Sequence, residues 1–576
     1  MIKKYLIGFI VCYLGIANLV AQPKNNNWVG AGKYVDPYHY VQVKSATFKN
    51  GAVSSAHPLA SMVGATTMKQ GGNAFDAAIA VQLTLAVVYP GAGNIGGGGF
   101  LVARKKTGQL IGLDYRETAP AQASKNMYLD KDGQAQTTLS QNGHLAAGVP
   151  GTIAGLFQTK KYARLPFRQL IQPAIDLAEF GFVITEREAN NLNSNQAAFI
   201  KYNTSNPAFV KGTKWKAGDT LVQKDLANTL KRIRDNGAKG FYEGITANMI
   251  VGEMKKGNGI ISLEDLRSYK VKTRTPLQID YKGYKVIGFP PPSSGGIILL
   301  QVMKMVEKYP MKAYGFQKQQ STQLMIEAER RAYADRAEHL GDPDFWKVPL
   351  KTMSSNAYIQ NRMKDYDPSR ASLSSQIKAG EIKESEETTH LSIYDSEGNM
   401  VSVTTTLNGG YGSKTVVAGA GFLLNNEMDD FSIKPGVANM YGAVGGAANA
   451  IQPGKRMLSS MCPVVVLKNN KPYIVAGTPG GTTIPTSVFQ TLMNLLEFNM
   501  SVEDAVNKPK FHHPHLPDQV EVEKGFPLET RKQLELMGYK IVDRGAWSRT
   551  EVIRINAKGN IEVAADKRGD DSVAGY

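Results

Sequence analysis

The chain has 576 residues, 42% hydrophobic, 20% charged and 9% aromatic, the balance of a globular protein with a large core. Its net charge of +17 and pI near 9.4 raise the question of nucleic acid. No block of five or more Lys/Arg occurs, so the excess reads as a solvated basic surface and no nucleic-acid partner is expected.

Met1-Ile-Lys-Lys4 supplies a short positive start, residues 5–20 are apolar, and Ala21-Gln22 follows. This is the build of a cleaved secretory signal over 1–21, which predicts a periplasmic or secreted mature chain. An uncleaved anchor is the alternative, although the apolar run is short for a bilayer span. Removing the signal lowers the charge from +17 to +15 and takes away Cys12, leaving Cys462 alone. One cysteine makes neither an internal disulfide nor a thiolate-pair metal site, so stability must come from the core.

Residues 57–89 read as two apolar helices broken at Gly71-Gly72. Residues 99–104 and 110–116 read as strands joined by a Thr107-Gly108 turn. Residues 297–309 and 322–340 are helix-like, and 369–387, rich in Ser, Lys and Glu, suggests a mobile, exposed segment. After Thr388 the character turns to β. Residues 389–394 and 400–407 alternate around Asp395-Ser-Glu-Gly-Asn399, a hairpin signal, and 463–468 and 472–477 form a second around Asn469-Asn470. A helix-like stretch, 486–498, follows. Strands backed by helices on both sides predict a layered α/β domain.

Several motifs invite chemistry without supporting it. Gly96-Gly-Gly-Gly99 precedes a strand rather than opening a helix, so a close backbone approach is the better reading than phosphate binding. His512, His513 and His515 are interrupted by Pro514 and lack an acidic ligand among them, which favours a surface loop over a metal site. Pro290-Pro-Pro-Ser-Ser-Gly-Gly296 reads as an extended lead into a helix, able to line a pocket.

The junction Glu387–Thr388 differs. A threonine hydroxyl needs a base to accept its proton. If the chain were cut before Thr388, the freed α-amine, with a pKa near 7.7–8.0, could serve. His390, on the same face of the strand, could serve instead.

Around that junction, Thr388-Thr-His-Leu-Ser-Ile-Tyr-Asp395 and Val401-Ser-Val-Thr-Thr-Thr-Leu-Asn408 resemble the signature of the γ-glutamyltransferase family. So do Leu423-Leu-Asn-Asn-Glu-Met-Asp-Asp-Phe-Ser432, Lys455-Arg-Met-Leu-Ser-Ser-Met461, Gly477-Thr-Pro-Gly-Gly481, Asp114-Tyr-Arg-Glu117 and Asp570-Asp-Ser-Val-Ala-Gly-Tyr576. The resemblance covers nearly the whole mature chain. It implies a four-layer αββα sandwich of the N-terminal nucleophile hydrolase type. A signal (1–21), a large subunit (22–387) and a small subunit (388–576) would come from one precursor, the two subunits forming a heterodimer.

By that resemblance Thr388 is the nucleophile of both self-cleavage and catalysis, and Thr406 hydrogen-bonds it. Gly480 and Gly481 offer N–H groups to an oxyanion. Arg116, Ser459 and Ser460 take the α-carboxylate of a γ-glutamyl group, and Asn408, Glu427 and Asp430 its α-ammonium. Tyr441 matches a loop that covers the pocket in relatives possessing one. Many bacterial relatives carry Gln where Glu427 stands. The implied substrates are glutathione and related γ-glutamyl compounds, with water or an amino acid or peptide as acceptor, and no metal or other cofactor is called for. The alternatives are a β-lactam (glutaryl) acylase sharing the self-cleavage chemistry and a non-enzymatic periplasmic amino-acid or peptide binding protein.

Overall fold

The alternating stretch after Thr388 forms the antiparallel hairpin its pattern requires, and that hairpin sits at the centre of the molecule. The computed structural model describes residues 35–377, 388–434 and 446–576. In the two large sheets the first strands in chain order are β1 (Ser45–Phe48), β2 (Ala52–Ser55), β3 (Gly98–Arg104), β4 (Leu110–Asp114), β5 (Lys272–Thr273), β6 (Leu277–Tyr281) and β7 (Tyr284–Gly288). The hairpin supplies β8 (Thr389–Tyr394) and β9 (Met400–Thr406). Then come β10 (Val464–Lys468), β11 (Lys471–Gly477), β12 (Glu551–Ile555), β13 (Ile561–Ala565) and β14 (Ser572–Gly575).

These strands make two seven-stranded antiparallel sheets, ordered β1-β13-β12-β11-β10-β7-β6 and β14-β2-β8-β9-β3-β4-β5. The sheets pack face to face, β8 and β9 against β11 and β12. Helices α1 (Pro58–Lys69) and α2 (Ala74–Val88) cover the second sheet. Helices α3 (Gly295–Val306) and α5 (Thr483–Leu496) cover the first, with α4 (Gln319–His339) packed on α3. The expected αββα sandwich is the observed one.

Local chemistry accounts for the boundaries. The break between α1 and α2 falls at Gly71, whose φ of +93° favours glycine, and Asn73 then starts α2 with a capping box closed by Asp76. All fifteen residues of α2 are buried, which fits a helix that is apolar all round. Asn469 and Asn470 both take positive φ, 52° and 59°, the turn geometry that joins two strands tightly. The four glycines 96–99 are close backbone approaches: a Cβ on Gly97 would lie 2.1 Å from Thr406 O, and one on Gly99 2.6 Å from Thr404 O.

Two expectations fail. His512, His513 and His515 are buried, not on a surface loop. Thr486 Oγ1 lies 3.0 Å from His512 Nδ1, and His513 N donates to Glu329 at 3.0 Å. Such partners let neutral imidazoles fill a core, and burial pushes His513 down to about 4. The segment 369–377 is not uniformly exposed either: Ser374 and Ile377 are buried, and Ser374 N donates to Asp518 at 2.7 Å. The remainder of that segment, 378–387, lies outside the described residues, as do 1–34 with the signal expected over 1–21.

Candidate active site

Thr388 stands immediately before β8. The ladder pairs Thr389 with Thr405, so its next step sets Thr388 opposite Thr406. Two residues on, the His390 ring is pressed against Gly477, where a Cβ would lie 2.2 Å from His390 Cε1. This face of β8 therefore looks toward the end of β11 and the loop Thr478-Pro479-Gly480 beyond it. Thr388, 5% exposed, and Gly480 line one cavity.

Gly480 and Gly481 have φ of 132° and 55°, conformations that favour glycine. Their carbonyls accept from Thr483 N (3.0 Å) and Ile484 N (3.2 Å), and among the described residues neither glycine N–H is used by another group. Thr406 Oγ1 accepts from Asn408 N at 2.7 Å, and Asn408, held at φ 72°, donates from Nδ2 to Asn426 O at 2.9 Å. His390 is committed elsewhere: Nδ1 meets Thr404 Oγ1 at 2.9 Å and Nε2 meets Ser392 Oγ at 3.1 Å. Burial pushes it down to about 3. With both nitrogens occupied, it has none left for Thr388.

Arg116 follows β4 and is fully buried. Its guanidinium pairs with Asp430, lies 2.5 Å from Glu427 Oε2 and 3.6 Å from Glu117 Oε2, and reaches Met457 O and Leu458 O at 3.4 Å. Arg116, expected to take the incoming carboxylate, thus pairs within the chain with Glu427 and Asp430, expected to take the ammonium. The two sets neutralise each other, because charges left singly in a buried site would cost several kcal/mol.

Three carboxyl groups nevertheless share one guanidinium. Burial pushes Glu117 up to about 8, raises Glu427 well above the usual range and raises Asp430, each against the pull of Arg116. Only Asp430 retains appreciable exposure, 17% of its side chain.

Ser459 and Ser460 lie on the loop after Leu458, braced by the Pro-Pro-Pro-Ser-Ser segment: Ser294 N and Oγ both donate to Ser459 O (2.7 and 2.8 Å). Arg336 of α4 donates to Ser294 Oγ (2.9 Å) and Ser460 Oγ (3.1 Å). Asn449 joins the two recognition loops, donating to Asp430 O at 2.6 Å and accepting from Leu458 N at 2.9 Å. Sequence reasoning missed Glu117, Arg336 and Asn449 as parts of the site. Charged residues on a helix as thoroughly buried as α4 were the available signal for Arg336. Glu387 and Tyr441 lie outside the described residues. Among the described residues no group of three or more His, Cys, Asp or Glu could hold a metal ion.

The family model described as Gamma-glutamyltranspeptidase matches residues 60–576. A glutathione hydrolase proenzyme of Escherichia coli (strain K12) is 44% identical over 554 residues, 95% of each chain. Among solved structures, the cephalosporin acylase from Bacillus halodurans superposes with a TM-score of 0.81 at 27% identity, covering 94% of this chain and 99% of that one. The Helicobacter pylori gamma-glutamyltranspeptidase is 47% identical, with a TM-score of 0.56 over 57% of this chain and 94% of that one.

Proposed function

The chain belongs to the gamma-glutamyltranspeptidase family and is an enzyme with hydrolase and transferase activity, and from that premise we propose a self-processing γ-glutamyltransferase and glutathione hydrolase with Thr388 as its nucleophile. The observation that carries the assignment is the placing of Thr388 opposite Thr406, in one cavity with Gly480.

Cleavage before Thr388 frees an α-amine next to Oγ, and the occupation of both His390 nitrogens supports that amine as the base. Oγ attacks the γ-carbonyl of a glutathione-like donor. The N–H groups of Gly480 and Gly481 receive the oxyanion. The leaving amine takes the proton and departs, and an ester remains on Thr388. Water or an acceptor amine then resolves it.

Arg116, Ser459 and Ser460 receive the donor's α-carboxylate. Asn408, Glu427 and Asp430 receive its α-ammonium, which enters where carboxyl groups outnumber guanidinium. Tyr441 would belong to a covering loop. No metal or cofactor takes part in this scheme. The small-molecule donor and acceptor are the proposed partners, with subunits 22–387 and 388–576 held as a heterodimer. Export rests on the sequence of residues 1–21. Among the described residues no helix is long and apolar enough to cross a membrane.

Denaturing electrophoresis and N-terminal sequencing test the processing: the shorter piece should begin Thr-Thr-His-Leu-Ser, and Thr388→Ala should remain one chain. An active, uncut enzyme overturns the amine base. The similarity to a cephalosporin acylase favours one other reading, hydrolysis of a glutaryl-type amide. A glutaryl anilide lacks the α-amino group and forfeits the interaction with Glu427 and Asp430. It should react at least about a hundredfold more slowly than the γ-glutamyl anilide. Equal turnover would favour the acylase.

A further inference from the structure

Segment 290–296 and Arg336 have no part in the reaction steps, yet both meet at the serines that receive the donor's carboxylate. The segment is laid along residues 459–461. Ser459 N donates to Pro292 O at 2.9 Å, Ser294 N and Oγ donate back to Ser459 O, and Ser293 Oγ donates to Met461 O. Its glycines permit the approach: a Cβ on Gly295 would lie 2.5 Å from Met461 O, and one on Gly296 2.1 Å from Phe289 O. Pro290, Pro291 and Pro292 fix φ just before them, so the serine loop rests on a stiff support.

Arg336 bridges the two pieces. It lies buried in the last turn of α4, where the helix C-terminus favours a cation. Its Nε donates to Ser294 Oγ at 2.9 Å and its Nη2 to Ser460 Oγ at 3.1 Å. A guanidinium only donates, and it keeps its protons throughout the working pH range. Both hydroxyls are therefore acceptors toward Arg336, and the Ser460 hydrogen is turned away from it. Ser459 is set the same way by a different donor, because Met461 N donates to Ser459 Oγ at 3.1 Å. Each hydroxyl accepts from the protein and so has its own hydrogen to give, which is what a carboxylate requires. A hydroxyl that accepts from a cation is also the stronger donor, because successive hydrogen bonds polarise one another. The charge itself is felt in the head-group site: burial raises Asp430, and Arg116 and Arg336 both pull against it.

We propose that Arg336 is the positioning residue of the carboxylate subsite: it makes the Ser460 hydroxyl a donor to the substrate, and through Ser294 it ties α4 and segment 290–296 to the serine loop. Donors are thereby selected for their α-carboxylate by a residue that acts through Ser460 and not by its own contact. The inference rests on the γ-glutamyl reading above. It also gives the Pro-Pro-Pro-Ser-Ser-Gly-Gly motif its task, which is to hold one edge of the subsite rigid while α4 supplies the orienting charge.

The test uses processed enzyme and two analogues that each keep half of the head group, measured as competitive inhibitors of γ-glutamyl anilide turnover. Glutaryl anilide keeps the carboxylate and lacks the ammonium; 4-aminobutyryl anilide does the reverse. Arg336→Met should weaken inhibition by the glutaryl compound at least about tenfold, the effect of one misdirected hydrogen bond to a charged group. Inhibition by the 4-aminobutyryl compound should hold or tighten, since a neighbouring positive charge has gone. Arg336→Lys keeps the charge but cannot span both hydroxyls, and it should fall between. If the Met variant fails to process, the Lys variant carries the same comparison. In a Ser460→Ala background Arg336→Met should add less than about twofold, because the hydroxyl it orients is absent. Equal weakening of both analogues marks a purely structural residue, and full multiplication of the two substitutions marks independent ones. Either result overturns the proposal, as does an unchanged glutaryl constant. An unaltered enzyme that releases no anilide from the γ-glutamyl donor defeats the γ-glutamyl reading itself, whereas the other adverse results defeat the positioning role alone.

Discussion

Two buried ionic clusters, one on α4 and one around Arg116, are built on opposite principles. On α4, Glu327 lies 2.5 Å from Arg331 and 3.3 Å from Arg330, and also accepts from Tyr539 OH at 2.6 Å. Burial alone would raise Glu327, but the two arginines hold it down to about 2. Asp518 also pairs with Arg330 and Asp365 with Arg331, and Arg331 Nε donates to Arg362 O at 2.7 Å. Around Arg116 the count is reversed, with Glu117, Glu427 and Asp430 about one guanidinium and all three carboxyl groups raised by burial. The α4 cluster is complete within the chain and serves structure. The Arg116 cluster can accept one more positive charge, which is what a donor's ammonium supplies.

The largest effect should come from breaking the complete cluster. Glu327→Ala leaves Arg330 and Arg331 buried without their shared acceptor, and removing one partner of a buried pair costs about 3–5 kcal/mol. Denaturant unfolding of the unprocessed chain measures it. Arg116→Met should cost less stability, because the three carboxyl groups it leaves behind can take up protons. It should lower donor kcat/KM by about a hundredfold or more, reflecting a lost charge-assisted pair. If Arg116→Met unfolds more readily than Glu327→Ala, the contrast between the clusters is wrong.

The third prediction concerns pH. Glu117 has its folded value raised from 4.5 to about 8. A raised carboxyl contributes stability that is fully present below the unfolded value and is lost as pH rises through the folded one. Between about pH 4.5 and 8 the parent protein should therefore lose stability with a slope that Glu117→Gln lacks. Parallel Tm profiles for the two proteins would exclude that role. The smallest effect is expected at Glu427→Gln, which keeps the shape and removes one surplus carboxyl. Stability should hold or rise slightly, and donor KM should change by less than about tenfold, as steady-state kinetics would show.

What could be read beforehand divides along physical lines. The hairpin 389–407 and the helix pair at 57–89 were legible because period and turn chemistry are local. The Arg116–Asp430 contact was not, since the residues stand 314 positions apart and only the paired sheets bring them together. The family resemblance named both residues but said nothing of their pairing in the unliganded chain. The histidines 512–515 misled for the opposite reason. Proline and polar side chains locally suggest a loop at the surface, whereas Glu329, Thr486 and the Tyr333 ring make a polar lining for them inside.

The order of the second sheet has a consequence for assembly. Strands β2 and β3 precede the proposed cut and β8 and β9 follow it, yet the hairpin β8–β9 is wedged between β2 and β3. At the outer edge β14 closes on β2, and Tyr576 O accepts from the N–H groups of Lys49 and Asn50 at 3.1 and 2.8 Å. Cutting the backbone would thus free no surface, whereas pulling the pieces apart would bare both margins of β2 and one of β3. Such raw edges invite aggregation. Fragments expressed apart should fail to reconstitute by simple mixing, and a cut heterodimer should not trade its halves with a labelled copy: it would be stitched, not docked.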